Sequence, residues 1–238
     1  MSESRAVPNS TESVATGPAV ALVMKLGGTV DAGVVSRLAS RLASDQMVAT
    51  WAVSDSKQLN VLRNVKPAGR ELALDVSEIS ELRIATEKLA QLQETSKVES
   101  LLASETQLRR YVALASGANI TAALVEDAAS KGPRQAGPGL WRFATGIEFP
   151  IEASWPRLFS SRSAKSVSDV ATGGVAAVKI DMQKLAGSSA GQKQVDRLLT
   201  KLAWAQNNGT VVTTLSDLAA IYAARTEVRP QRSILRAA

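Results

Sequence analysis

The sequence predicts one α/β domain built on a mainly parallel sheet, with a barrel favoured over an open sheet. Three observations carry this expectation. Apolar stretches of strand length alternate with amphipathic helical stretches through most of the chain, as in parallel sheets covered by helices. There are eight short strand candidates, which suits a barrel better than an open sheet at this length. Of the 238 residues, 45% are hydrophobic, enough for one large core. Aromatic residues are only 4%, so that core is mostly Ala, Val and Leu. No internal repeat is visible.

The elements follow in order. Residues 1–18 are rich in Ser, Thr and Pro and are expected to be a disordered tail, ahead of a domain over 19–224. Val20 to Met24 reads as a buried strand that ends in a tight Gly27-Gly28 loop. Val34, Leu38 and Leu42 mark one face of a helix over 31–44. Residues 47–53 give a second strand, 56–66 a short helix closed by Pro67 and Gly69, and 71–76 a third strand. Ile79, Leu82, Ala85, Leu89 and Leu92 stripe a helix over about 79–93, expected to pack on the sheet. A fourth strand over 98–103 precedes a helix whose face is Leu108, Tyr111, Val112 and Ala115. Residues 119–126 form a fifth strand. Residues 130–139 hold five Gly or Pro and read as a loop. Strands follow at 141–146 and 174–181, separated by a less regular stretch with a helix near 156–170. Val195, Leu198, Leu199 and Leu202 stripe a helix over 190–206, which Asn208-Gly209 stops. Residues 210–215 make an eighth strand, and Ser216 is placed to cap a final helix.

The chain contains no histidine and no cysteine. That excludes a Ser-His-Asp triad, a thiolate nucleophile, a disulfide and the usual nitrogen or sulfur zinc site. No cofactor is expected. Gly27-Gly28-Thr29 lacks the spacing of a phosphate-binding loop and reads as a strand-to-helix turn. No apolar run is long enough to span a membrane, and the first residues lack a signal-peptide pattern, so a cytoplasmic location is the default. The net charge is +6, and residues 225–238 supply +3 of it from four Arg against Glu227. Such a tail can attract phosphate backbones or acidic partners. It interleaves no aromatic residues, so a solvated tail is expected over nucleic-acid binding.

Several stretches share an order of signatures. Met24-Lys25-Leu26-Gly27 ends the first strand, and Ala49-Thr50-Trp51-Ala52-Val53 forms the second. The stretch Gly69-Arg70-Glu71-Leu72-Ala73-Leu74-Asp75-Val76-Ser77-Glu78-Ile79 comes next. Arg142-Phe143-Ala144-Thr145-Gly146, Val178-Lys179-Ile180-Asp181 and Asn208 to Ser216 follow. Taken together, from about Ala19 to Leu218, this order resembles the polysaccharide deacetylase, or NodB-homology, family. The resemblance implies a distorted (β/α) barrel. It also implies divalent-metal-dependent removal of acetyl groups from polysaccharides. Lys25 and Leu26 stand where that family has its base and a metal-binding aspartate. Asp75 and Ile79 stand for two metal-binding histidines, Ala144 for a proline and Ile180 for the histidine acid. At most one of three metal ligands survives, so no metal is expected and the deacetylase chemistry reads as lost.

The resulting expectation is a catalytically inactive relative that binds a glycan or a protein partner at the old cleft. Cleft candidates are Lys25, Glu71, Asp75, Arg142 and Asp181, near strand ends where barrels place function. Two alternatives stand beside it. One is a hydrolase using lysine and carboxylates without histidine, for which the lysine pKa must be depressed. The other is a basic nucleic-acid-associated protein. A Lys–Asp ion pair that simply fills the former metal pocket is the plainer reading of Lys25 and Asp75. Oligomeric state is left open.

Overall fold

Strands of alternating direction-of-burial need two cores, and this chain builds both. The computed structural model describes residues 17–227 except 29, 64, 66–68, 129–131 and 152–173. Of the expected tails over 1–18 and 225–238, residues 1–16 and 228–238 lie outside the described residues, as does the helix expected near 156–170. Seven parallel strands close on themselves: β1 (Ala19–Lys25), β2 (Ala49–Val53), β3 (Arg70–Asp75), β4 (Val98–Ala103), β5 (Ala122–Val125), β7 (Leu140–Phe149) and β8 (Val175–Asp181). β8 pairs back on β1, and β1 pairs β2 through Val23↔Thr50 to Lys25↔Ala52, which completes the ring. The expected closure into a barrel is what the pairing gives.

The ring is distorted at one seam. A short strand β9 (Val211–Thr213) pairs only with the first half of β1, Ala19↔Val211 to Ala21↔Thr213. It therefore stands beside the seam at the N-terminal end, while β1 and β2 meet at the C-terminal end. The expected eighth strand is thus three residues long and outside the ring. The Gly- and Pro-rich stretch is not all loop either. Arg134–Gly137 form β6, a hairpin strand antiparallel to β7. Gly139, at φ +69, makes its turn, and the backbone pairing outweighs the poor strand propensity of the sequence. The expected helix at 56–66 is a single stretch of 3-10 helix at Ser56–Asn60.

Period-two alternation sorts the strand side chains. Val20, Leu22 and Met24 face outward, into a core shared with helices α1 (Ala32–Ser44), α2 (Leu82–Gln93), α3 (Glu105–Gly117), α4 (Met182–Leu185) and α5 (Ser189–Asn207). On α1, Val34, Val35, Leu38 and Leu42 supply the buried stripe, each contributing roughly 1.5–3 kcal/mol. Ser104 and Gln107 form a reciprocal capping box that starts α3. Gly209, at φ +88, ends α5 at the predicted stop.

Ala19, Ala21, Val23, Ala52, Ala73, Leu102, Ala122, Leu124, Phe143 and Ala177 face the barrel interior. Most are small, which leaves room at the N-terminal end. The last helix, α6 (Leu215–Glu227), fills that space with Leu215, Leu218 and Ala219. Its Tyr222 meets Trp141 edge-on at 5.1 Å and Phe143 at 6.3 Å. Ser216 is not the cap of this helix. Thr214 is: its hydroxyl accepts from the Asp217 N–H at 3.3 Å, and its carbonyl accepts the Leu218 N–H at 3.0 Å. Arg225, expected in the basic tail, belongs to α6 and donates to the Gly17 carbonyl. No helix of the described residues is long and apolar enough to cross a membrane.

Candidate functional site

With one end plugged by α6, the C-terminal end of the strands is the mouth. Inward alternation brings Lys25 to the end of β1, Asp75 to the end of β3, Glu126 just past β5, Glu148 near the end of β7, and Lys179 to β8. These side chains join into one chain of opposite charges. Lys25 Nζ lies 3.6 Å from Asp75 Oδ2 and 3.1 Å from Glu126 Oε1. Lys179 Nζ reaches the same Glu126 oxygen at 2.6 Å and Glu148 Oε2 at 2.9 Å. Lys184, on α4, closes the series on Glu148 Oε1 at 3.0 Å. Three lysines thus face three carboxylates.

Ser77 ties the first pair down. Its N–H and hydroxyl both donate to Asp75 Oδ1, at 2.9 and 2.6 Å, while its oxygen accepts from Lys25 Nζ at 2.9 Å. Asp181 sits beside Lys25 in the β1–β8 register. It turns its carboxylate to the Gln183 and Lys184 N–H groups, capping α4.

The charges have physical consequences. Burial pushes the Lys25 ammonium toward losing its proton, but Asp75, Glu126 and Asp181 together outweigh burial and raise its pKa. Burial pushes the Asp75 carboxyl above the usual range, and Lys25 and Ser77 only partly offset that. Burial also works against ionised Glu148, yet hydrogen bonds and attraction from Lys179 and Lys184 prevail and lower its pKa. Lys25 is therefore a held cation. The depressed lysine that a lysine-based hydrolase needs is the opposite of what these neighbours produce.

Two of the expected cleft residues are elsewhere. Glu71 is at the N-terminal end of β3, four residues before Asp75 and so on the order of 13 Å away. Its carboxylate accepts from the hydroxyls of Thr50 and Ser100 and from the Ser216 N–H at 3.2 Å, holding the start of α6. Arg142 faces outward from β7 because its strand neighbours Trp141 and Phe143 face in. It grips Glu105 of α3 with Nη1 at 2.9 and 2.8 Å from the two carboxylate oxygens. Ile180 also faces outward and is fully buried in the outer core. At the mouth end of β8 the inward residues are Lys179 and Asp181, so the position matched to the family's acid does not look into the mouth. Glu126, Glu148, Lys179 and Ser77 were not singled out from sequence. The available signal was a charge in phase with inward small residues, as in Leu124-Val125-Glu126 and Ala177-Val178-Lys179.

A divalent ion of the kind the resemblance implies does not fit these residues. Leu26 is completely buried and Ile79 is 8% exposed, both within the outer core. Asp75 has one oxygen held by Ser77 and the other facing an ammonium. Two lysine cations stand within contact of Glu126 and would repel a metal ion. Among the described residues no group of three or more His, Cys, Asp or Glu converges as a metal cage.

No family model matches the chain, and no curated protein matches it. Solved structures do. The peptidoglycan deacetylase PdaC of Bacillus subtilis aligns with a TM-score of 0.50 at 16% identity, covering 92% of this chain and 98% of that one. A mutant of PdaC aligns equally well. A protein of Bordetella bronchiseptica, described as a polysaccharide deacetylase candidate involved in O-antigen biosynthesis, aligns at 0.48 and 12% identity over 87% and 90%. That last likeness is too distant to carry an argument. The chain has the polysaccharide deacetylase barrel fold.

Proposed function

We propose that this chain, built on the polysaccharide deacetylase barrel, has exchanged metal-dependent deacetylation for binding at the strand mouth. Its work is then carbohydrate-related recognition or the scaffolding of a protein partner. The observation that carries this reading is the Lys25–Asp75–Glu126–Lys179 chain. In it Asp75, the one acidic residue left at the metal positions the resemblance implies, is paired with Lys25, and Lys25, at the position implied for a base, is held protonated by its neighbours. Water activation needs a metal or a base, and departure of the sugar nitrogen or oxygen needs a proton donor. Buried Leu26 and outward Ile180 supply neither.

Metal analysis of the purified protein together with acetate release from N- and O-acetylated polysaccharides tests this. The expected result is no stoichiometric zinc or cobalt and no acetate released. Acetate release that depends on added metal and disappears in Asp75→Asn would overturn it. For binding itself, glycan arrays and titration with oligosaccharides should give a signal that Lys179→Met and Glu148→Gln weaken. A signal indifferent to both would move the binding site away from the mouth.

A further inference from the structure

Helices α1 and α5 lie side by side and parallel on the outside of the barrel. Arg37 meets Asp196 at 3.6 Å, Arg41 Nη2 donates to Thr200 Oγ1 at 3.4 Å, and Gln206 Nε2 donates to the Gln46 carbonyl at 3.4 Å. The two helices therefore advance together along one outer face of the barrel. On α5 the outward line is Lys193, Arg197, Lys201 and Trp204, spaced i, i+4, i+8 and i+11, which is one stripe of about 16 Å. All four are exposed. Trp204 is 69% exposed, more than any other large hydrophobic among the described residues.

The carboxylates of these helices and their caps are already engaged. Asp196 pairs with Arg37, Asp45 pairs with Arg41 at 2.7 Å, and Asp31 accepts the Gly33 N–H at 2.7 Å. Lys193, Arg197 and Lys201 form no ion pair with a described residue, so the stripe faces outward as uncompensated positive charge. An indole has an apolar body and one N–H, which suits a boundary between water and hydrocarbon.

We infer that this two-helix face docks on an anionic lipid surface, with Trp204 entering the headgroup region and Lys193, Arg197 and Lys201 held by lipid phosphates and carboxylates. The side chains favour a bilayer over nucleic acid. Single strands are held in grooves with successive stacking aromatics, whereas this stripe is an exposed helix face of three cations with one aromatic at its end, which suits an anionic interface. The face is on the barrel's outer side and is independent of the mouth.

The full chain is mixed with phosphatidylcholine vesicles with and without about one third phosphatidylserine and sedimented. Binding is expected only with phosphatidylserine and is expected to fall with salt. Each Lys or Arg near an anionic bilayer strengthens binding about fivefold, so Lys193→Ala/Arg197→Ala/Lys201→Ala should bind roughly a hundredfold more weakly. Lipid brominated in the upper acyl chain should quench part of the indole fluorescence, and Trp204→Phe should remove that part. All four positions are exposed, and matching melting curves would confirm that the variants fold. Three outcomes overturn the inference: no vesicle binding, unchanged binding by the triple variant, or a single-stranded oligonucleotide or a second copy of the chain occupying Trp204 in place of lipid.

Discussion

Neutralising Glu126 should destabilise the protein by an amount that can be worked from the mouth geometry. Lys25 and Lys179 both contact Glu126 Oε1, at 3.1 and 2.6 Å, and are only 13% and 6% exposed. Glu126→Gln keeps the shape and removes the charge. The two ammonium groups, at most ~6 Å apart, then repel by about 3 kcal/mol at an effective dielectric of ~20. Asp75 and Glu148 still compensate one lysine each, while the loss of one partner of a buried pair costs on the order of 3–5 kcal/mol. The expected loss is about 2–4 kcal/mol, or a melting temperature lower by roughly 5–15 °C for a chain of this size. Thermal unfolding followed by circular dichroism reads this directly. Adding Lys179→Met to Glu126→Gln should recover part of the loss, since it removes the repelling cation. A Glu126→Gln protein within ~0.5 kcal/mol of the parent, or a double variant no better than the single, would refute the reasoning. Either result would mean that water, and not the opposing charges, compensates these lysines.

Further expectations concern the other end of the barrel and the acid limb. Glu71→Ala leaves the buried Thr50 and Ser100 hydroxyls and the Ser216 N–H without their acceptor, which should cost about 3 kcal/mol. Hydrogen exchange should then quicken across α6, and exchange unchanged there would mean that Glu71 does not hold the plug. Glu148 has a lowered pKa, so its contribution is present above the ordinary glutamate value and lost as pH falls through its folded value. Glu148→Gln should therefore shallow the acid limb of stability below about pH 5, and an acid limb identical to the parent's would contradict this. Lys25 acts at the opposite extreme. Its raised pKa contributes stability below the ordinary lysine value that is lost as pH rises through the folded one, so Lys25→Met should flatten the alkaline limb.

Much of the architecture was legible in the sequence because strands and helices are written in local periods. The apolar run at Val20–Met24 and the stripe of α5 needed no tertiary information. The turn after Lys25 and the stop at Gly209 come from the same local signals, whereas closure into a barrel is implied by the strand count and the family resemblance. The hairpin strand β6 was not legible, because its residues have poor strand propensity and gain order only from pairing with β7. The shortness of β9 was hidden for a related reason: where pairing stops depends on the neighbour, and β9 has only the first half of β1.

The candidate site divides along the same line. By lacking histidine and cysteine, the sequence alone determined that no imidazole or thiolate can act at the mouth. Residue type is a local property, and no fold can supply an imidazole that the chain lacks. Which charges meet was decided only by tertiary structure. Glu71 and Asp75 share one strand and one face, yet strand length sends them to opposite ends of the barrel. Arg142 points outward because a strand alternates its faces and Phe143 takes the interior. Lys25 and Glu126 are 101 positions apart, and only closure of the ring sets their side chains 3.1 Å from each other.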